Sequence, residues 1–334
     1  MAVIRDMMPA FQLFQPTTTD EALGLLDQYQ EQAWVLAGGL DSFDWLKDRV
    51  KRPAAVVDLG GVEELSAIRS ATGGGLTIGA MAKLREVVRH PDVRSQYGLL
   101  AEAAGLVASP QIRNQGTLGG NLAQDTRCWY YRDGWNCYRA GGTICYADTP
   151  TAMNREHCIL GASRCVAVNP SDTAPALVAL DAEMDIRSSA GTRSVPAEQF
   201  FLGPDVDIMR MTVLEPNDLL AAIRVPGTWA GARFYFEKSR DRQVWDFALA
   251  SVASAARITN GVIEDIRIAV NGVAPTPLRL RAAEDAVRGR QLTDEVAAQA
   301  GEAATAGVRP LAHNGYKVAL LRNLVTRSVR GGEA

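Results

Sequence analysis

Four of the five cysteines in this chain lie within 38 residues, at Cys128, Cys137, Cys145 and Cys165. No cysteine occurs in the 127 residues before this stretch or in the 169 residues after it. A disulfide framework that staples a small secreted fold would be distributed along the chain. The local cluster instead predicts a loop whose thiolates hold a metal or a metal cluster.

The spacing of these cysteines favours an iron-sulfur cluster but leaves two alternatives open. The intervals are 9, 8 and 20 residues, and loops with loose spacing are common hosts of iron-sulfur clusters. Zinc sites with four cysteine ligands usually have paired knuckles two to four residues apart, which are missing here. A zinc site and structural free thiols are the alternatives.

Composition excludes several classes of protein. The chain has 334 residues, of which 47% are hydrophobic and 22% charged, so two or three globular domains are expected. A net charge of -3 gives no reason to expect nucleic acid as a partner. No apolar run approaches the length of about 18 residues expected of a membrane helix, and Met1 to Ala10 does not resemble a secretory signal. By its own sequence the chain is expected in the cytoplasm.

Hydrophobic periodicity predicts three regions. Strands at 11–14, 34–36 and 55–59, with helices between them, form a β-α-β unit over residues 1–61. A second region, 62–227, has strands at 74–79 and 165–168 and is interrupted by the cysteine loop at about 124–168. Pro226-Gly227 marks its end. The third region, 228–334, has a hairpin about Asn260-Gly261 and three helices.

Two glycine segments predict a site for a phosphate-containing cofactor. Ala37-Gly38-Gly39 and Gly119-Gly120-Asn121 each follow an apolar strand or turn. Glycine permits close backbone approach, and consecutive N–H groups in such turns bind anions. Neither segment has the G-x-G-x-x-G spacing of the Rossmann fingerprint, so another fold is expected. Each segment alone would equally fit an ordinary tight turn.

The combination of motifs resembles the flavoprotein subunit of the xanthine dehydrogenase and molybdenum hydroxylase family. The first glycine segment, Gln111-Ile112-Arg113-Asn114 leading into Thr117–Asn121, and Pro170-Ser171-Asp172 carry the resemblance. It extends over nearly the whole chain, to Asn314-Gly315-Tyr316-Lys317. It implies an α+β fold, with a two-part FAD-binding region of the PCMH (vanillyl-alcohol oxidase-like) type and a C-terminal α+β domain of the CO dehydrogenase flavoprotein type.

The resemblance also implies which residues bind FAD. They are Val35, Leu36, Ala37, Gly38, Gly39, Leu40, Asp41, Ser42, Thr117, Leu118, Gly119, Gly120, Asn121, Asp172 and Lys238. The family usually has A-G-G-T-D-L at the first segment, whereas this chain has Leu40 in place of the threonine and Ser42 in place of the leucine. A hydroxyl contact at position 40 is therefore lost, and Ser42 is a candidate to replace it.

The cysteine loop resembles an insertion found in part of this family, namely in periplasmic aldehyde oxidoreductases and 4-hydroxybenzoyl-CoA reductases, which carry a [4Fe-4S] cluster there. The resemblance implies that Cys128, Cys137, Cys145 and Cys165 are the ligands. Cys158 is then a buried spectator, because free cysteine packs as a small hydrophobe, although an exchange of roles with Cys165 stays open. His157 is expected to be a hydrogen-bonding loop histidine.

The family resemblance implies an electron-transfer subunit of a heterotrimeric molybdenum-containing hydroxylase. A large subunit would carry molybdopterin and oxidise the substrate, and a small subunit with [2Fe-2S] clusters would pass electrons to the flavin, which reduces an external acceptor. A partner's export signal would then permit a periplasmic location. Two alternatives are a metal-stapled scaffold that has lost active flavin, supported by Leu40, and a stand-alone flavin oxidase.

Overall fold

The computed structural model describes residues 8–71 and 74–331. The predictions for Met1 to Met7 therefore lie outside the described residues. The chain begins with a parallel three-stranded sheet in the order β1-β3-β2. Its elements are β1 (Gln12–Phe14), α1 (Thr19–Tyr29), β2 (Ala33–Leu36), α2 (Ser42–Lys47) and β3 (Ala55–Asp58). The predicted β-α-β unit is confirmed, and Thr18 caps α1 by accepting a hydrogen bond from the N–H of Glu21 at 3.2 Å.

A five-stranded antiparallel sheet follows, in the order β4-β5-β8-β6-β7. Its first part contains β4 (Ile68–Ser70), β5 (Gly75–Gly79), α3 (Leu84–Arg89), α4 (Pro91–Gln96), α5 (Gly98–Gly105), α6 (Pro110–Gln115), α7 (Leu118–Ala123) and α8 (Trp129–Arg132). Its second part contains α9 (Ala174–Ala179), β6 (Glu183–Ser188), β7 (Gly191–Pro196), α10 (Ala197–Phe200) and β8 (Leu219–Pro226). Because β5 pairs with β8, a long excursion that includes the cysteine loop returns to the same sheet.

The cysteine loop is mostly irregular between α8 and α9. The predicted strand at 165–168 is wrong. The N–H of Val166 donates to the sulfur of Cys145, and the N–H of Ala167 donates to that of Cys165, so these groups are used by thiols rather than by a neighbouring strand. A short β-strand needs an adjacent strand whose main-chain groups form hydrogen bonds with its own.

The C-terminal part is a four-stranded antiparallel sheet, β12-β11-β10-β9, with the helices that follow it in the chain on one face. Its elements are β9 (Arg233–Ser239), β10 (Ala250–Thr259), β11 (Val262–Asn271), β12 (Leu278–Arg279), α11 (Arg281–Val287), α12 (Asp294–Ala304) and α13 (Tyr316–Arg330). The hairpin predicted about Asn260-Gly261 is confirmed, and both turn residues have positive φ, 51° and 79°. Within residues 247–256, the strand β10 begins at Ala250.

This last sheet is buried on both faces. Val252 and Ala256 pack against the C-terminal helices, whereas Ala253 and Ala255 pack into the main core beside α9. The alternation of side chains along a strand produces this division. Strand β9 and the loop after it therefore lie next to the predicted FAD-binding region. The predicted boundaries after residues 61 and 227 stay predictions.

None of the helices in the described residues has the length and hydrophobicity needed to span a bilayer.

Candidate functional site

A cavity of about 450 Å³ lies between the two glycine segments. The predicted cofactor residues that line it are Val35, Ala37, Gly38, Gly39, Leu40, Asp41, Ser42, Thr117, Gly119, Gly120, Asn121 and Asp172. The other three, Leu36, Leu118 and Lys238, do not belong to its lining. The structure therefore brings together segments that are about 80 and 50 residues apart along the chain.

Close backbone packing explains why the two segments contain glycine. A Cβ on Gly38 would lie 2.6 Å from the carbonyl oxygen of Gln115 and 3.0 Å from the Cα of Gly116. A Cβ on Gly119 would lie 2.7 Å from the Cβ of Ala80. Neither position tolerates a side chain without movement of the main chain. The two segments can therefore approach closely where they line the cavity, and glycine-containing turns of this kind suit a phosphate-containing cofactor.

The second glycine segment is fixed by side-chain hydrogen bonds. The hydroxyl of Thr117 accepts from the N–H of Gly120 at 3.0 Å. The Oδ1 of Asn121 accepts from the hydroxyls of Ser171 and Thr173, each at 2.7 Å. Asn121 therefore connects the segment that begins at Thr117 to the segment that carries Asp172.

Asp172 and Lys238 form a buried ion pair beside the cavity. The Nζ of Lys238 donates to Oδ2 of Asp172 at 2.5 Å and to the carbonyl oxygen of Leu106 at 3.2 Å. Their side chains are 5% and 0% exposed. Burial raises the pKa of Asp172 and lowers the pKa of Lys238, and the mutual attraction opposes both shifts. Asp172 faces the cavity, and Lys238 supports it from behind.

Asp41 connects the first glycine segment to the cysteine loop. Its Oδ1 accepts hydrogen bonds from Arg127 and from Arg132, the latter at 2.7 Å. Its Oδ2 accepts from the indole N–H of Trp45 at 3.3 Å, and the guanidinium of Arg132 stacks on that ring at 3.7 Å. Two arginines, one just before Cys128 and one four residues after it, thus share the carboxylate of Asp41.

Leu40 and Ser42 both lie in the cavity wall, where the sequence departs from the family pattern. Leu40 is 42% exposed. The structure therefore places an apolar side chain, rather than a hydroxyl, at this edge of the cavity.

Sequence reasoning missed two walls of the cavity. One is the segment 209–212, between α10 and β8, and the other contains Trp245 and Phe247, between β9 and β10. The guanidinium of Arg127 lies 4.6 Å from the centre of the Phe247 ring. Neither segment has a periodic pattern. The one available signal was the pair of aromatic residues that follows the charged run after Lys238.

The four predicted ligand thiols form one connected group. Cys128 interacts electrostatically with Cys137 and Cys145, and the thiol of Cys165 donates a hydrogen bond to Cys145. That bond lowers the pKa of Cys145 to about 6 and raises the pKa of Cys165. Burial raises the pKa of Cys128 to about 11, although main-chain N–H groups donate to its sulfur. All five cysteines are free thiols.

Cys158 occupies an apolar environment. It is 1% exposed and packs with Ala147 and Val166. Burial raises the pKa of its thiol to about 12. Within the described residues, no group of three or more His, Cys, Asp or Glu side chains is arranged to hold a single metal ion. Neither the zinc site nor the [4Fe-4S] cluster is shown by this arrangement, and both stay predictions.

Two buried nitrogen-containing side chains contact the cysteine group. Arg139 is 3% exposed, pairs with Asp125 at 3.6 Å and donates a hydrogen bond to Cys165. The Nε2 of His157 lies 3.3 Å from the sulfur of Cys128. Burial lowers the pKa of His157 to about 4, so the imidazole is neutral.

Comparisons with known proteins agree with this geometry. The model of the FAD binding domain in molybdopterin dehydrogenase matches residues 9–228, and that of the CO dehydrogenase flavoprotein C-terminal domain matches residues 234–331. The carbon monoxide dehydrogenase medium chain of Hydrogenophaga pseudoflava is 31% identical over 98% of both chains. The aldehyde oxidoreductase FAD-binding subunit PaoB of Escherichia coli K12 is 34% identical over 94% of this chain and 96% of its own.

A solved structure of carbon monoxide dehydrogenase from Hydrogenophaga pseudoflava superposes with a TM-score of 0.77, covering 98% of each chain at 31% identity. The fold and the cavity thus define an FAD-dependent oxidoreductase subunit. The chain belongs to the FAD-binding medium subunits of the xanthine dehydrogenase/CO dehydrogenase family, the class that the sequence motifs predicted.

Proposed function

We propose that this chain is the FAD and [4Fe-4S] electron-transfer subunit of a heterotrimeric molybdenum-containing hydroxylase or aldehyde oxidoreductase. It would carry electrons from a small [2Fe-2S] partner subunit to an external acceptor. A large molybdopterin-binding partner would oxidise the substrate. The similarity to an aldehyde oxidoreductase FAD-binding subunit and to medium chains of other dehydrogenases supports this role.

The residues around the large cavity fit FAD. Gly38 and Gly119 line the cavity at positions where a Cβ would not fit, and glycine-containing turns of this kind suit a diphosphate. Asp172 and Asn121 line the deeper wall, held by Lys238 and by the hydroxyls of the 171–173 segment. When bound, FAD would supply a redox centre, while this chain supplies binding, orientation and electrostatics.

The connected group of four thiols is the observation that carries the cluster proposal. Cys128, Cys137, Cys145 and Cys165 would be the ligands. In a [4Fe-4S] cluster each thiolate would bind a different iron, so the sulfurs would lie farther apart than around one ion; the lack, among the described residues, of side chains arranged to hold a metal ion is compatible with such a cluster. Main-chain N–H groups already donate to three of these sulfurs, and such donors stabilise cluster thiolates.

Substrate choice is assigned to the partner. Relatives with this fold are named for the oxidation of carbon monoxide, aldehydes and nicotine. A common medium subunit among such different substrates implies that the pocket for the substrate lies elsewhere.

The test is flavin and iron analysis of the co-purified complex, with two matched cysteine variants. We expect flavin absorbance that dithionite bleaches, and a [4Fe-4S] signal in electron paramagnetic resonance (EPR) that is distinct from the [2Fe-2S] signals. Cys128→Ala should abolish the [4Fe-4S] signal, whereas Cys158→Ala should retain it.

Three results would contradict the proposal. A complex with iron but without flavin would favour the metal-stapled scaffold, to which Leu40 points. A complex without a [4Fe-4S] signal would remove the cluster while leaving the flavin role intact. Loss of the signal in Cys158→Ala but not in Cys165→Ala would reassign one ligand.

A further inference from the structure

A second, smaller cavity of about 50 Å³ lies between the cysteine loop and the large cavity. Cys128 and His157 line one side of it, and Asn169 and Asn271 line another. It shares Asp172 with the lining of the large cavity. The small cavity therefore adjoins both the predicted cluster ligands and the predicted flavin site.

Three side chains that line the small cavity each have a polar atom without a hydrogen-bond partner in the described part of the chain. These atoms are Nδ1 of His157, Nδ2 of Asn169 and Oδ1 of Asn271. The three residues are only 2–3% exposed. Buried polar atoms are almost always paired with protein or ordered water, so three unpaired atoms around one cavity indicate a bound polar ligand.

The two amides cannot satisfy each other by rotation. The Oδ1 of Asn169 accepts from the N–H of Ser171 at 2.9 Å and from Nδ2 of Asn271 at 3.2 Å. Nδ2 of Asn271 also donates to the carbonyl oxygen of Ser171 at 2.7 Å. Rotating either amide would place donor against donor or acceptor against acceptor. Asn169 therefore offers a donor to the cavity, and Asn271 offers an acceptor.

Water is the ligand whose chemistry matches this mixed set. It accepts from Asn169 and donates to Asn271, whereas a simple cation or anion would satisfy only one of them. At about 10–15 Å³ of such volume for each molecule, the cavity of about 50 Å³ has room for about three to five waters. We infer that the cavity is a buried water site, in which water donates to Nδ1 of His157 while Nε2–H faces Cys128.

The consequence concerns the sulfur of Cys128. A neutral imidazole carries one N–H, and which nitrogen carries it is set by the partner of the other nitrogen. A Cys128 thiolate that binds the proposed cluster can only accept, so Nε2–H would donate to this sulfur 3.3 Å away, and Nδ1 would accept from the water. Hydrogen bonds to cluster sulfurs stabilise the more electron-rich, reduced state and raise the reduction potential. His157 would thus act through Cys128 to raise the reduction potential of the cluster, a role that rests on the proposed function.

The test combines a redox titration with a crystal structure of the complex. His157→Leu removes the donor, and we expect a lower midpoint potential of the [4Fe-4S] EPR signal with unchanged iron content. His157→Gln keeps an N–H donor at a similar reach and should restore most of the potential. His313→Leu replaces an exposed histidine; it is the control and should leave the midpoint unchanged. The crystal structure should show ordered water within hydrogen-bond distance of Nδ1 of His157.

Each outcome separates this inference from the function proposed above. A wild-type complex without the cluster would overturn the function itself. A cluster whose midpoint is unchanged in His157→Leu would overturn the donor role alone, as would loss of the cluster in both His157 variants. A dry cavity in the crystal structure would overturn the water site.

Discussion

The buried pair of Asp172 and Lys238 provides the most quantitative prediction. Lys238→Met keeps the length and apolar character of the side chain but removes the ammonium group. Asp172 would then be left 5% exposed without its cation. Removing one partner of a buried ion pair typically costs about 3–5 kcal/mol, because the remaining charge is neither hydrated nor paired. At about 2–4 °C for each kcal/mol in a domain of this size, the melting temperature should fall by about 6–20 °C.

The assay is thermal unfolding of the purified protein, followed across pH. Burial already raises the pKa of Asp172, and Lys238 opposes that rise, so the variant should have a still higher folded-state pKa. A raised carboxyl pKa contributes stability below the unfolded value of about 3.9, and that contribution is lost as the pH rises through the folded value. The deficit of Lys238→Met should therefore be smallest in acid and grow toward neutral pH.

Two further variants decide whether the reasoning holds. Arg242→Met removes the cation of a surface pair with Asp246, in which Arg242 is 70% exposed, and should leave the melting temperature almost unchanged, because exposed ion pairs contribute little. The double variant Asp172→Leu with Lys238→Met removes both charges and should recover much of the lost stability. A Lys238→Met protein as stable as Arg242→Met, or a double variant no better than the single one, would refute the buried ion pair.

Two predictions concern the first glycine segment. Gly38→Ala should sharply lower the flavin content, because its Cβ would lie 2.6 Å from the carbonyl oxygen of Gln115, whereas Gly24→Ala meets no atom within 4 Å and should retain flavin. Flavin absorbance per protein checks this, and equal flavin content would contradict it. Asp41→Asn should weaken the hold on its two arginine partners and lower both flavin and iron content. Asp44→Asn is the matched control, because the Asp44 carboxylate is 59% exposed and its contact with Arg127, at 4.0 Å, is long. An Asp41→Asn protein that keeps both cofactors would show that the ion pairs of Asp41 are dispensable for cofactor binding.

Local signals in the sequence predicted much of the fold. Asn260-Gly261 between two β-branched runs and glycine after the strand at 34–36 each act over a few residues, and the structure places both where the sequence predicts them. Such signals are strong because capping and turn chemistry depend on neighbouring main-chain groups.

Features that depend on distant segments could not be predicted in the same way. The strand expected at 165–168 fits its apolar run, but its N–H groups donate to cysteine sulfurs. Trp245 and Phe247 reach the cavity because β9 packs beside α5, which no local pattern encodes. The resemblance predicts that Lys238 binds the cofactor. In the structure Lys238 contacts Asp172, which lines the cavity, but does not line the cavity itself. A sequence motif does not distinguish these two positions.

The cysteine loop is integrated with the cavity wall rather than appended to it. Asp41 of the first glycine segment holds Arg127 and Arg132 of the loop. The two ends of the loop are also joined to each other. The hydroxyl of Thr126, at its start, donates to the carbonyl oxygen of Val168, at its end, at 3.0 Å, just before the segment that carries Asp172. Because the same side chains shape the cavity and position Cys128, a change that loosens the loop should also disturb the flavin site. Loss of both cofactors from a single substitution at Asp41 is therefore the expected signature of this construction, whereas independent loss would mean that the two sites fold separately.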